Sequence, residues 1–186
     1  MAEEVRHRLV EGILEDTVLI ERAAVVDLYT GFEKLLRFVG GLLYTVSKRA
    51  GKMTARRMRE KGLLESIDYF EAMMTSFLLG GYAEKVVVED VERSHGEARV
   101  RLRVYGTLLG SRLKDRKRPV DQPFVGYLAG WLEEALGVKV DGRELECASR
   151  GGDSCVFELR VRSSDVSVPE PGRVYARPKV RILVEH

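Results

Sequence analysis

From Phe32 onward, apolar residues recur at helical spacing, at Phe32, Leu35, Leu36, Val39, Leu42, Leu43 and Val46, and the pattern runs on through Met53 to Gly62. That period predicts one long amphipathic helix ended by glycine. Gly40 and Gly41 interrupt the stripe, which places a kink or a close helix crossing there. Upstream, Val5, Leu9, Val10, Ile13 and Leu14 fit a short amphipathic helix, and residues 17–20 and 23–28 read as extended apolar segments. Ser66 is the expected N-cap of a further helix whose apolar face is Ile67, Phe70, Met73, Met74, Phe77 and Leu78, ended by Gly80 and Gly81.

From Tyr82 the period changes to two. Val86, Val87 and Val88 precede the turn residues Ser94, His95, Gly96 and Glu97, after which Ala98, Val100, Leu102 and Val104 alternate strictly with arginines. One face of that strand is therefore buried and the other charged. Residues 106–122 read as a charged loop. A helix from Gln122 to Leu136 carries Phe124, Tyr127, Leu128, Trp131, Leu132 and Ala135 on one side. Two strands near 139–147 and 155–161 flank the turn chemistry of Ser149, Arg150, Gly151, Gly152, Asp153 and Ser154. Residues 163–172 have the Ser, Pro and Gly content of a linker, and 179–184 fit one last strand. Together these elements predict an α+β fold, a mainly antiparallel sheet with helices packed on one face.

Length and composition narrow the class. The 186 residues, 45% hydrophobic and 32% charged, describe a globular chain able to bury a core without covalent staples. A formal charge of +2, from 31 basic and 29 acidic residues, gives no reason to expect a nucleic-acid partner. The start of the chain lacks a basic, apolar leader and no segment reaches the apolar length of a membrane span, so the expectation is a cytoplasmic protein. The basic runs at residues 56–61 and 114–118 read as solvated surface, and His7, His95 and His186 are too scattered to form a site. Nucleophile elbows, phosphate-binding loops and dinucleotide fingerprints are all missing, which favours a non-catalytic role.

The specific chemistry lies at Cys147 and Cys155, the two cysteines of the chain. If the hairpin pairs symmetrically about its turn, they face each other with Cβ atoms about 4.5–5.5 Å apart. Two thiols at that range hold a metal, form a disulfide or pack as free thiols, and the spacing leaves all three open. Strand geometry raises one objection to a shared metal site with Glu144. Residues 144 and 147, three apart, point to opposite faces of a regular strand, so both are ligands only if a bulge or a strand end intervenes. Gly126 and Gly130, four apart on the third helix, read as a close-packing surface.

Cys147, Gly151, Cys155 and Phe157, with Pro119-Val120-Asp121 leading into Gly126 to Leu132, resemble the C-terminal signature of the 4-vinyl reductase domain family over residues 119–160. The family is related to the sensory domain of phenol-responsive activators and to small subunits of the TRAPP tethering complex. The resemblance implies a ligand-binding domain over 1–162 with a linker and extension over 163–186. It also implies a structural zinc site of three cysteines and a glutamate, for which Glu144, Cys147 and Cys155 match. The chain departs from that pattern at Asp121, near where the remaining cysteine falls, although a carboxylate oxygen is an acceptable zinc ligand. A pocket for a hydrophobic or aromatic small molecule is expected between helices and sheet, with Phe124, Tyr127, Trp131, Phe70 and Met74 as candidate lining. Core packing is the other role open to these five. The resemblance further implies a homodimer through the long N-terminal helix and a protein partner that receives the signal. Its alternatives are an assembly subunit holding an acyl chain and an accessory of a tetrapyrrole vinyl reductase.

Overall fold

The computed structural model describes residues 2–18, 20–36 and 39–178. The predicted strand at 179–184 lies outside them. Four helices open the chain: α1 (Ala2–Leu14), α2 (Arg22–Leu35), α3 (Val39–Glu60) and α4 (Tyr69–Leu79). A hairpin follows, β1 (Lys85–Ser94) and β2 (Glu97–Tyr105), then α5 (Gln122–Leu136), β3 (Val140–Glu146), β4 (Ser154–Val161) and β5 (Val174–Ala176). The strands form one sheet in the order β3-β4-β2-β1-β5, antiparallel at every pairing. This is the expected α+β class.

Three local expectations are corrected. Residues 23–28 are helical, within α2, rather than extended. The long N-terminal helix is two helices, and the break comes at Leu36, whose backbone is extended, rather than at Gly40 and Gly41, which lie inside the first turn of α3. At α4 the N-cap is Asp68, whose carboxylate accepts the Glu71 N–H at 3.0 Å, while Ser66 sits in the turn before it with φ 61°. Asp68 is better placed because its side chain reaches the free N–H groups of the first turn, and a residue at positive φ has left the approach path of the helix.

The sheet's two faces follow from the alternation in β2. Ala98, Val100, Leu102 and Val104 are fully buried under the helices, together with Val86, Val88, Phe157, Leu159 and Val161. On the opposite face Arg99, Arg101 and Arg103 stand beside Glu97, Glu158 and Arg160, a layer of ion pairs. The segment read as a linker runs back to the sheet, where β5 pairs with β1 and Gly172 N–H donates to the Val88 carbonyl.

α3 and α5 pack with their backbones in contact. A Cβ at Gly130 would lie 1.8 Å from the Lys48 carbonyl oxygen, one at Gly126 2.4 Å from that of Tyr44, and one at Gly51 2.1 Å from that of Tyr127. Any side chain at these positions separates the two helices, so the paired glycines of α5 are a packing surface, as their spacing implied. Lys48 and Lys52 of α3 then clamp Glu133 of α5. The position of α5 is thereby set from both sides, and α5 carries one corner of the site at its N-terminus.

Candidate metal centre and ligand cleft

Asp121 occupies the N-cap position of α5 yet makes no capping hydrogen bond. Its carboxylate turns inward instead, accepting the Gly110 N–H at 3.1 Å on Oδ1 and the Cys155 thiol at 3.0 Å on Oδ2. Cys155 opens β4, opposite Val104 of β2, on the helix-covered face. Glu144 reaches the same place from β3, its Oε2 accepting the Asp121 N–H at 3.0 Å.

Cys147 joins them because β3 is irregular. Glu144 pairs with Phe157 and Glu146 with the next residue of β4, Val156, so Leu145 is an extra residue and the register shifts there. A bulge of this kind turns a three-residue spacing into a shared direction. The geometric objection to Glu144 and Cys147 as co-ligands is thereby met. Cys147 lies just beyond the strand, where a short 3-10 turn, Ala148–Arg150, begins.

Asp121, Glu144, Cys147 and Cys155 are all buried, with one potential ligand atom from each within 4.8 Å of all the others. Both cysteines are free thiols. A supporting shell holds them: Ala148 N–H donates to Cys155 Sγ at 3.2 Å, Ser149 Oγ lies 3.0 Å from Cys147 Sγ and Thr107 Oγ1 3.5 Å from Cys155 Sγ. Gly110 completes the cradle. A Cβ there would stand 2.5 Å from Asp121 Oδ2 and 2.9 Å from Cys155 Sγ, inside the cluster itself.

Four acidic groups so placed cannot all ionise without a cation. Burial raises the Asp121 pKa to about 6, and burial followed by the nearby Asp121 charge raises that of Glu144 well above the carboxylate range. A hydrogen bond from Cys155 holds the Cys147 thiol low as a thiolate, and the same bond, with burial, raises Cys155. Among the described residues no Lys, Arg or His forms an ion pair with any of the four. Glu144 Oε1, which is buried, has no hydrogen-bond partner. Tyr29 of α2, also buried, stands within electrostatic reach of Glu33, Asp121 and Glu144, and its phenol is raised chiefly by burial. Two thiols, two carboxylates and one orphaned oxygen form a donor set suited to a divalent metal.

A separate cleft of about 380 Å³ opens between α1, α3, the end of α4 and the chain around Tyr82 and Leu108. Tyr127, one of the five candidate pocket residues, lines it and shares a 2.8 Å hydrogen bond with Ser76 at the cleft wall. Phe70, Met74 and Trp131 are instead fully buried in the core. Phe124 packs against the rings of Phe77 and Tyr82 at centroid distances of 6.3 and 5.3 Å, behind the wall. Ser76, Met58, Leu63 and the basic residues of α3 were missed as lining, because residues of α3 and α4 face the cleft through the packing of α1, which no local pattern reveals. Gly110 was also missed; a glycine within a loop carries no sign that a carboxylate and a thiol close over it.

Residues 100–161, from β2 through β4, match the 4-vinyl reductase domain family, so the stretch that carries the cluster is the stretch that the family defines. The chain is 42% identical over 45 residues to an uncharacterized protein of Methanocaldococcus jannaschii. That stretch makes up 24% of this chain and 28% of the relative, so the match spans little more than a quarter of that protein. Among solved structures, the phenol-responsive sensory domain of the transcription activator PoxR, with phenol, is similar at TM-score 0.65 and 18% identity, covering 78% of this chain and 76% of that one. A vinyl-4-reductase family protein of M. jannaschii gives TM-score 0.52 at 20% identity, over 84% and 94% of the two chains. A trafficking protein particle complex subunit 3 from Naegleria fowleri, covalently bound to palmitic acid, gives 0.55 at 14%, over 88% and 98%. At these identities the three structures establish a shared fold. The similarity read from Cys147, Gly151, Cys155 and Phe157 therefore holds for the family signature and for the architecture around it. No helix among the described residues is long and apolar enough to cross a membrane.

Proposed function

We propose that this chain is a non-catalytic, sensor-like binding domain for an apolar small molecule, braced by a structural zinc ion on Asp121, Glu144, Cys147 and Cys155. The observation that carries the zinc reading is the four-ligand cluster, buried, within 4.8 Å and without a protein cation. Zinc accepts thiolate and carboxylate ligands together, and a closed set of four protein ligands is the structural rather than the catalytic form of such a site. The ion would tie the N-terminus of α5 to the end of β3 and the start of β4.

The cleft supports the binding part of the reading. Its volume of about 380 Å³ falls within the range of small-molecule sites, and its wall is largely apolar with a hydroxyl pair at Ser76 and Tyr127. Phenol bound by the PoxR domain, which shares the fold, points the same way. Cleft and metal cluster are joined through one loop: Leu108 lines the cleft while Thr107 and Gly110 touch the cluster. A change in cleft occupancy thus has a direct path to the brace. Exposed Leu28, Phe32 and Leu35 of α2 and Leu42 and Val46 of α3 support a homodimer through this helical face. Covalent acylation, as in the Naegleria subunit, finds less support. It needs a nucleophile in the cleft, and both cysteines of this chain belong to the metal cluster.

Elemental analysis with a free-thiol count, on protein purified without chelator, tests the zinc reading. One zinc per chain, with thiols that become titratable on its removal, is expected. Metal-free protein with two freely titrating thiols would refute it.

A further inference from the structure

The cleft that this reading assigns to an apolar ligand has a cationic rim. Its lining includes Arg22, Arg57, Lys61 and Arg177 against a single acidic residue, Asp16. Lys61 is occupied by Asp16 at 2.9 Å and Glu15 at 3.4 Å, and Arg22 lies 4.0 Å from Glu84. Arg57 and Arg177 differ: among the described residues neither guanidinium has an ion-pair or side-chain hydrogen-bond partner. This is unusual for the chain, because most of its other arginines are paired, as at Arg56, Arg99, Arg103, Arg143, Arg160 and Arg162. Arg57 is near enough to the wall that its charge is felt at the Tyr127 hydroxyl and at Asp16.

Between these charges the wall is Ile13, Val25, Met58, Leu63, Leu79 and Tyr82. An apolar trough with two uncommitted guanidinium groups at its edge matches a ligand with an apolar body and one anionic end. Guanidinium recognises a carboxylate through two parallel N–H donors, which fixes orientation as well as supplying attraction. We propose that the ligand of this cleft is a small organic carboxylate, its ring or chain against Met58, Leu63 and Tyr82 and its carboxylate on Arg57 and Arg177. This rests on the binding-domain reading and narrows it from apolar molecules in general to apolar acids.

Calorimetric titration with naphthoate and naphthol at neutral pH tests the proposal, since the two share a ring system and differ in charge. Naphthoate is expected to bind at least about tenfold more tightly, with an affinity that falls as salt is raised. The variant Arg57→Gln, and more strongly Arg57→Gln with Arg177→Gln, should bring naphthoate down to the affinity of naphthol. Naphthol binding should stay unchanged, which shows that the variants are folded. Equal or tighter binding of naphthol overturns the carboxylate proposal and leaves the binding domain standing. Failure of both to bind overturns the two together.

Discussion

Two clusters of buried carboxylates lie on opposite faces of one sheet and settle their charge in opposite ways. On the outer face Glu97 accepts from Arg99 at 2.9 Å, Arg160 at 2.6 Å and Arg162 at 3.3 Å. On the inner face Asp121 and Glu144 are surrounded by thiols, backbone and each other. The Glu97 pKa is accordingly lowered, first by its hydrogen bond to Arg160, while those of Asp121 and Glu144 are raised, first by burial. The chain carries its own counter-charge where the carboxylate is near water. Where the carboxylates are sealed beneath helices it carries none, and a divalent ion from outside balances the charge that the fold leaves unmatched.

The largest expected effect removes the inner cluster's ability to hold that ion. Cys155→Ser should lose the metal and cost several kcal/mol of stability, because metal-binding free energy is also folding free energy. Thermal melts with parallel metal analysis read both quantities. An unchanged melting temperature at unchanged metal content would remove Cys155 from the ligand set and, with it, the contrast between the faces.

A smaller effect should change sign with metal content. The folded-state pKa of Asp121 is raised from 3.8 to about 6. In metal-free protein the stability linked to this group is fully present below pH 3.8 and lost as pH rises through about 6. Asp121→Asn removes that loss, so the metal-free variant should be more stable than its parent at pH 7 by about 2 kcal/mol and no more stable below about pH 4. In the metal-loaded protein the same substitution deletes a ligand and should destabilise. Denaturant melts of both forms at both pH values make the comparison, and a substitution that acts in the same direction with and without metal would show that Asp121 is not serving the ion.

What the sequence disclosed of these clusters depended on how local the determinants were. β2 was legible from its alternation, and α5 from its apolar face between Asp121 and Gly137, since each element answers to a short-range period. α2 was not. Tyr29 is its one fully buried side chain, so it lacks a buried stripe, and its β-branched run of Val25 and Val26 imitates a strand. β5 is three residues long, too short to show any period. The four ligands were named through family resemblance. The bulge at Leu145 that lets Glu144 and Cys147 cooperate has no glycine or proline to announce it, and the inward turn of the Asp121 carboxylate depends on Gly110, a contact between residues eleven apart within a loop. These features are properties of packing, and packing is what a single sequence conceals.

The outer cluster supplies the smallest effect and the sharpest control on the comparison. Because the Glu97 pKa is lowered in the folded chain, its stabilisation is fully present above the ordinary value of 4.5 and lost as pH falls through the lowered one. This is the reverse of the trend at metal-free Asp121. Glu97→Gln should lower the melting temperature at pH 7, leave metal content untouched and lose its effect in strong acid. The three arginines are each about two-fifths exposed, so solvent and salt screen the pairs, and the cost should shrink as ionic strength rises. A Glu97→Gln effect indifferent to salt would mean that packing, rather than charge, keeps Glu97 in place. The outer face would then offer no measure of what the inner face lacks, and the case for the ion would rest on the ligand geometry alone.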